Sequence, residues 1–140
     1  MATTLLAELC ADLGAAGPAP GLVRALTPFD SRVAVLGHGI AAIGAVGGPL
    51  GRLEAQLGHW EAAERHLRDA IALNERLGAL PALARAKAGY AAMLTYRDGA
   101  AAGPALQLRD EARALAATIG LVALEPAPAP HENHKTSAAS

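Results

Sequence analysis

The stretch from Leu50 to Ile71 constrains the fold of this chain most, because its apolar and small residues follow the spacing of two packed helices. One apolar set repeats at intervals of three and four residues, which places its members on one side of a helix; they are Val46, Leu50, Leu53 and Leu57. The facing set follows Gly58 and consists of Trp60, Ala63, Leu67, Ala70 and Ile71. Gly58 can adopt the left-handed conformation that ends a helix. The segment predicts a tight helical hairpin with Trp60 in its core.

Composition favours an all-α fold. Apolar residues make up 52% of the 140 residues and aromatic residues only 3%, so the core is built mainly from Ala and Leu. The net charge of -1 predicts neither direct nucleic-acid binding nor attachment to an anionic membrane. One cysteine, Cys10, excludes an internal disulfide and fits a cytoplasmic location.

The same spacing rules predict six helices, which pair into three hairpins. They are expected at 2–13, 18–27, 38–57, 60–77, 81–97 and 104–119. The turn glycines Gly14, Gly58 and Gly99 are 44 and 41 residues apart, within the range of helical repeats that stack into a solenoid. We therefore predict an α-solenoid of about three antiparallel helical hairpins over residues 1–120. Residues 121–140 are predicted to form a disordered tail rich in Pro and Ala.

Charge is distributed unevenly along the sequence. Residues 1–51 carry five charged side chains, whereas residues 52–118 carry seventeen. The terminal unit of a helical stack normally needs a polar outer face, and the first 51 residues lack one. We therefore expect this end to be covered by upstream repeats, by a partner subunit or by a second copy of the chain.

The central hairpin resembles a tetratricopeptide repeat (TPR), and the match comprises Leu50, Gly51, Gly58, Trp60, Ala63, Leu67, Ala70 and Ile71. The surrounding stretches LLAELCADLG and DEARALAATIG are similar to the C-terminal repeats of large bacterial signalling ATPases and LuxR-type transcriptional regulators. The resemblance implies a right-handed superhelix that receives a protein or small-molecule signal. Because the sequence contains no G-x-x-x-x-G-K-[ST] loop and no recognisable helix-turn-helix, neither ATPase activity nor DNA binding is implied.

The inner helices of such a repeat line its concave surface, where a partner is bound. Arg52 and Gln56 on the third helix, and Tyr96 and Arg97 on the fifth, are the predicted partner-binding residues. Arg and Tyr supply hydrogen-bond donors and flat apolar area to a protein partner or to a second copy. The alternative is a sensor that binds a small-molecule effector in the same groove. Neither function involves bond chemistry, so the sequence predicts a binding module, not an enzyme, and no cofactor.

An enzymatic alternative rests on the stretch VAVLGHGIAA, which begins at Val33. It fits a strand followed by a G-x-G-x-x-A dinucleotide fingerprint, and would make the chain a fragment of a dinucleotide-binding enzyme. That fold requires a second strand ending in an acidic residue about 20 residues downstream. The nearby acid, Glu54, lies within the leucine-spaced helix. We therefore expect the stretch VAVLGHGIAA to be a short extended connector, with Gly37 and Gly39 shaping the entry to the third helix.

The sequence gives little support for a metal site or for a membrane-spanning segment. His59 and His66 are separated by about 10 Å along a helix, which disfavours a shared metal. His131 and His134 lie in the proline-flanked tail, so no metal site is predicted. Residues 33–51 contain no Asp, Glu, Lys or Arg, but their six glycines make a poor membrane span. No membrane association is predicted.

Overall fold

The computed structural model describes residues 2–36, 41–99 and 103–121. This part of the chain is mostly helical, with the elements α1 Ala2–Leu13, α2 Ala19–Leu26, β1 Val33–Leu36, β2 Ala41–Ala45, α3 Gly47–Gln56, α4 Trp60–Leu77, α5 Leu80–Asp98 and α6 Gly103–Thr118. One turn of 3-10 helix, Thr27–Phe29, follows α2. The predicted all-α class is confirmed as a predominantly helical fold with one small sheet. Residues 122–140 of the predicted tail lie outside the described residues.

The hairpin formed by α3 and α4 agrees with the sequence pattern. Leu50, Leu53 and Leu67 are fully buried between its helices and their neighbours. A Cβ atom added at Gly51 would lie 2.6 Å from Cγ of Leu67, so the absence of a side chain there permits the close approach. Gly58 ends α3 with a φ angle of +76°, as predicted for the turn.

Trp60 is half-buried at the start of α4. It packs against a cluster contributed by α4, α5 and α6, whose buried members are Ala63, Leu67, Met93, Leu94 and Ala105. The tryptophan therefore covers the edge of this cluster instead of filling the centre of the hairpin.

Helices contact one another in the order of the chain. Within the described residues α1 packs on α2, α3 on α4 and α5 on α6. The first helix of each pair also contacts the first helix of the next pair, and α2 and α4 contact the helices that follow them. Three buried clusters result in the described part of the chain: one beneath α1, α2 and α3, one shared by α4, α5 and α6, and a small one between β2, α4 and α5.

The segment before α3 differs from the prediction. We expected the third helix to begin at residue 38, but it begins at Gly47 and is preceded by an antiparallel β-hairpin of β1 and β2. Gly44 has a φ angle of +134° and lies so close to Ala82 of α5 that a side chain would clash. The backbone N–H of Ala45 donates a buried 2.8 Å hydrogen bond to Oδ1 of Asn74 on α4. These tertiary contacts hold the segment extended where its glycines already disfavour a helix.

Candidate interaction surface

Arg52 connects three helices from a buried position on α3. Its side chain is only 8% exposed, and Nη1 donates a 3.1 Å hydrogen bond to Oε2 of Glu8 on α1. Nη2 donates to Oδ1 of Asp12, one turn further along α1. Gly89 of α5 leaves room for the aliphatic stem, because an added Cβ would lie 2.7 Å from Cγ of Arg52. Arg52 therefore fixes how α1 and α5 sit on α3.

Holding the Glu8 carboxylate in this largely buried position costs free energy. Burial raises the pKa of its carboxyl group above the usual value, and the nearby guanidinium groups of Arg52 and Arg85 only partly offset that effect. Arg85 approaches Glu8 to 3.9 Å from α5. A buried ion pair of this kind contributes little net stability, but removing one partner leaves an uncompensated charge.

Gln56 lies one turn after Arg52 and is also directed at α1. Its side chain is buried, and Nε2 donates a 2.7 Å hydrogen bond to the carbonyl oxygen of Ala11. The prediction that Arg52 and Gln56 face an external ligand therefore disagrees with their positions. The physical reason is that α1 packs along α3, so the polar residues between the α3 leucines contact α1.

Tyr96 and Arg97 lie near the C-terminal end of α5 and are exposed, as a binding role requires. Arg97 Nη1 donates a 2.6 Å hydrogen bond to Oε2 of Glu64 on α4, and its other nitrogens donate to Asp98. The hydroxyl of Tyr90 donates to Oε1 of the same glutamate at 2.7 Å. The Arg97 guanidinium is thus already engaged at the junction of α4 and α5.

These contacts shift several pKa values at that junction, including those of Glu64 and Tyr90. The hydrogen bonds from Arg97 and Tyr90 lower the pKa of Glu64 below its usual value. Burial, followed by the hydrogen bond to the Glu64 carboxylate, raises the pKa of Tyr90 to about 12. Glu64 therefore stays ionised and Tyr90 stays protonated at neutral pH, which suits a structural link between the two helices.

The most unusual surface of the described residues lies on α1. Four leucines occupy one side of this helix with exposed fractions between 45% and 71%; they are Leu5, Leu6, Leu9 and Leu13. We call this set the α1 stripe. At 100° per residue it covers about 100° of the helix circumference, the width typical of a face that packs against another element.

The orientation of α1 reverses the usual pattern of a surface helix. Its buried face carries small residues, Ala7, Cys10 and Ala11, which pack in the cluster beneath α1, α2 and α3. Its two acidic residues, Glu8 and Asp12, are directed at Arg52, so the stripe contains no charge. Large apolar side chains thus face solvent while small ones face the core.

Sequence reasoning did not select these leucines as binding residues. The available signal was the low charge of residues 1–51, which predicted that this end of the chain is covered. The α1 stripe lies within these residues.

The dinucleotide fingerprint lacks its structural context in the described residues. The predicted strand forms as β1, but it pairs antiparallel with β2, so a strand occupies residues 41–45 where the fingerprint requires the first turns of a helix. Residues 37–40, which contain both fingerprint glycines, lie outside the described part.

Of the histidines, His59 pairs with Glu54 at 2.6 Å, and His66 is buried on α4. His131 and His134 lie outside the described residues. Among residues 2–36, 41–99 and 103–121, no group of three or more His, Cys, Asp and Glu side chains has the geometry to hold a metal ion. Within the same ranges, every helix is too short or too polar to cross a bilayer.

In the described part of the chain, the fold is mostly helical and α1 carries an exposed apolar face. Comparison with protein-family models, with curated proteins and with solved structures finds no match. The resemblance to tetratricopeptide repeats therefore rests on the residues of the α3–α4 hairpin.

Proposed function

We propose that this chain is a protein-interaction module whose α1 stripe packs against an apolar helix, supplied by a partner protein or by a second copy of the chain. The observation that carries the proposal is the reversed orientation of α1, with its leucines in solvent and its small residues in the core. Monomeric soluble proteins rarely expose a large contiguous apolar patch, and such patches mark interaction sites.

The free energy available from the stripe fits this role. Fully burying a leucine contributes about 1.5–3 kcal/mol, so covering the exposed half of four leucines contributes on the order of 3–6 kcal/mol. A micromolar complex requires about 8 kcal/mol, so the stripe supplies a large share and surrounding contacts supply the rest.

The architecture that we propose is a TPR-like right-handed α-solenoid of about three hairpins. Its support is the order of helix contacts, in which each pair packs on the next pair along the chain. We propose further that the module receives signals in a bacterial regulatory system in the cytoplasm, as the sequence resemblance implies.

The test compares two single substitutions, Leu9→Lys on the stripe and Leu77→Lys at the end of α4. Leu9 is 53% exposed and Leu77 is 46% exposed, so the second variant controls for the loss of an exposed leucine and the gain of a charge. Light scattering reports self-association, and a dye that fluoresces on apolar surfaces reports an uncovered stripe. We expect the wild type either to self-associate or to bind the dye. Leu9→Lys should weaken whichever of the two is observed, and Leu77→Lys should leave it unchanged. A wild-type monomer that binds no dye, or identical behaviour of the two variants, would overturn the proposal.

A further inference from the structure

A second surface feature lies on the side of α4 that faces the 3-10 turn. There a cavity of about 330 Å³ is formed between α4 and the residues that follow the turn. Polar side chains surround it, namely Asp30, Ser31, His66, Asp69 and Arg76. Ala72 and Leu73 of α4 add apolar surface. None of the four predicted partner-binding residues lies here, so the cavity is separate from the predicted concave groove.

His66 forms the buried part of this cavity. It is only 2% exposed, and its Nδ1 lies 3.6 Å from Oδ2 of Asp30, too far for a good hydrogen bond. Its Nε2 lies 3.4 Å from Nη2 of the neighbouring Arg65. Burial and Arg65 lower the pKa of His66, whereas Asp30, Glu54 and Asp69 act in the opposite direction. His66 therefore contributes a neutral, polar wall to the cavity at neutral pH.

The cavity is lined by charged residues of both signs, and on α4 the acidic and the basic residue lie two turns apart. Asp30 and Asp69 flank His66, whereas Arg76 lies seven residues beyond Asp69 on the same helix, about 10 Å along its axis. Arg76 lines the cavity together with Ala72 and Leu73, which lie one turn before it on α4. Within the described part of the chain, the side chains of Asp69 and Arg76 have no hydrogen-bond or ion-pair partner, although the Asp69 carboxylate acts on His66 through its charge. Both groups are free to bind a ligand.

We propose that this cavity binds a small zwitterion of the amino-acid class. Its ammonium group lies between the carboxylates of Asp30 and Asp69, and its carboxylate pairs with the guanidinium of Arg76, which is suited to bidentate binding. Leu73 contacts the apolar part of the ligand. The volume is at the lower end of the range for ligand pockets, which fits a molecule of this size. A phosphate compound fits less well, because two carboxylates oppose the single guanidinium.

The experiment measures binding of each standard amino acid to the full chain by calorimetry and by NMR shifts of the α4 amides. Arg76→Gln and Asp69→Asn each remove one charge from the cavity. Arg113→Gln and Asp110→Asn on α6 are the matched controls, since both residues are exposed and lie far from the cavity in the sequence. We expect at least one amino acid to bind at millimolar concentration, with affinity reduced about 10-fold or more by each cavity substitution. The control substitutions should leave the affinity unchanged.

Two analogues of that amino acid test the claim that both charges are recognised. The methyl ester lacks the carboxylate, and the deaminated acid lacks the ammonium group, so each should bind more weakly than the zwitterion. Absence of binding by every amino acid would overturn the proposal. So would equal binding of either analogue, or equal losses in the cavity and control variants. Because the α1 stripe is tested by association and dye binding, failure of one proposal leaves the other unaffected.

Discussion

The close approach of α3 and α4 allows us to predict how much Gly51→Ala changes the free energy of unfolding. A Cβ at this position would lie 2.6 Å from Cγ of Leu67 and 3.1 Å from the carbonyl oxygen of Ala63, so backbone or a branched carbon must move. Overpacking of this kind costs about 1–3 kcal/mol. Replacing a helical glycine by alanine gains about 0.5–1 kcal/mol from reduced backbone entropy. The net effect is a destabilisation of up to about 2.5 kcal/mol.

Gly21→Ala isolates the packing contribution. Gly21 lies in α2, and a Cβ added there meets no atom within 4 Å, so this variant should be stabilised by the backbone effect. The difference in free energy of unfolding between the two variants should therefore be about 1–3 kcal/mol, measured by urea denaturation followed by circular dichroism.

Truncating the opposing side chain completes the test. In a Leu67→Ala background the clash at Gly51 is relieved, so the cost of Gly51→Ala should fall, which a double-mutant cycle detects. Equal stabilisation by Gly51→Ala and Gly21→Ala, or no coupling to Leu67, would refute the close packing from which the repeat-like hairpin was inferred.

Three further predictions concern polar side chains at contacts between the elements. Asn74→Ala should lower the free energy of unfolding by about 1–3 kcal/mol, because the buried N–H of Ala45 loses its acceptor; unchanged stability in urea would contradict this. Ultraviolet titration of the folded protein should show Tyr90 ionising at about 12, and Tyr90→Phe should remove that step. Burial lowers the pKa of His66, so as the pH falls the unfolded chain takes up a proton near pH 6.5, before the folded chain does. The free energy of unfolding should therefore be highest above pH 6.5 and decrease as the pH falls from 6.5 through the folded pKa. His66→Gln should make that decrease smaller, as measured by urea denaturation at several pH values.

The α3–α4 hairpin could be predicted because its determinants are local. Leucine spacing, the small residues and Gly58 are all visible within one short stretch of sequence. The β-hairpin before α3 could not be predicted in the same way. Its second strand is held by the close approach of Gly44 to Ala82 and by the hydrogen bond from Ala45 to Asn74. Both contacts join residues about 30 to 40 positions apart in the chain.

The candidate site shows the same limit. Arg52 and Gln56 occupy polar positions on α3, and nothing in their own segment indicates that α1 covers them. Whether a polar residue binds a partner or a neighbouring helix depends on how distant helices pack. Residue spacing alone therefore cannot distinguish the two roles.

The burial of Arg52 gives that residue an indirect part in the proposed interface. Turning α1 by half a turn about its axis would place its leucines against α3 and its carboxylates in solvent, which would bury more apolar area. The ion pairs of Arg52 with Glu8 and Asp12 would then be lost, leaving a buried guanidinium without a partner, at a cost of about 3–5 kcal/mol. The hydrogen bond from Gln56 to the carbonyl of Ala11 would be lost as well. Two residues first selected as ligands for a partner thus hold α1 in the orientation that leaves its leucines available to one.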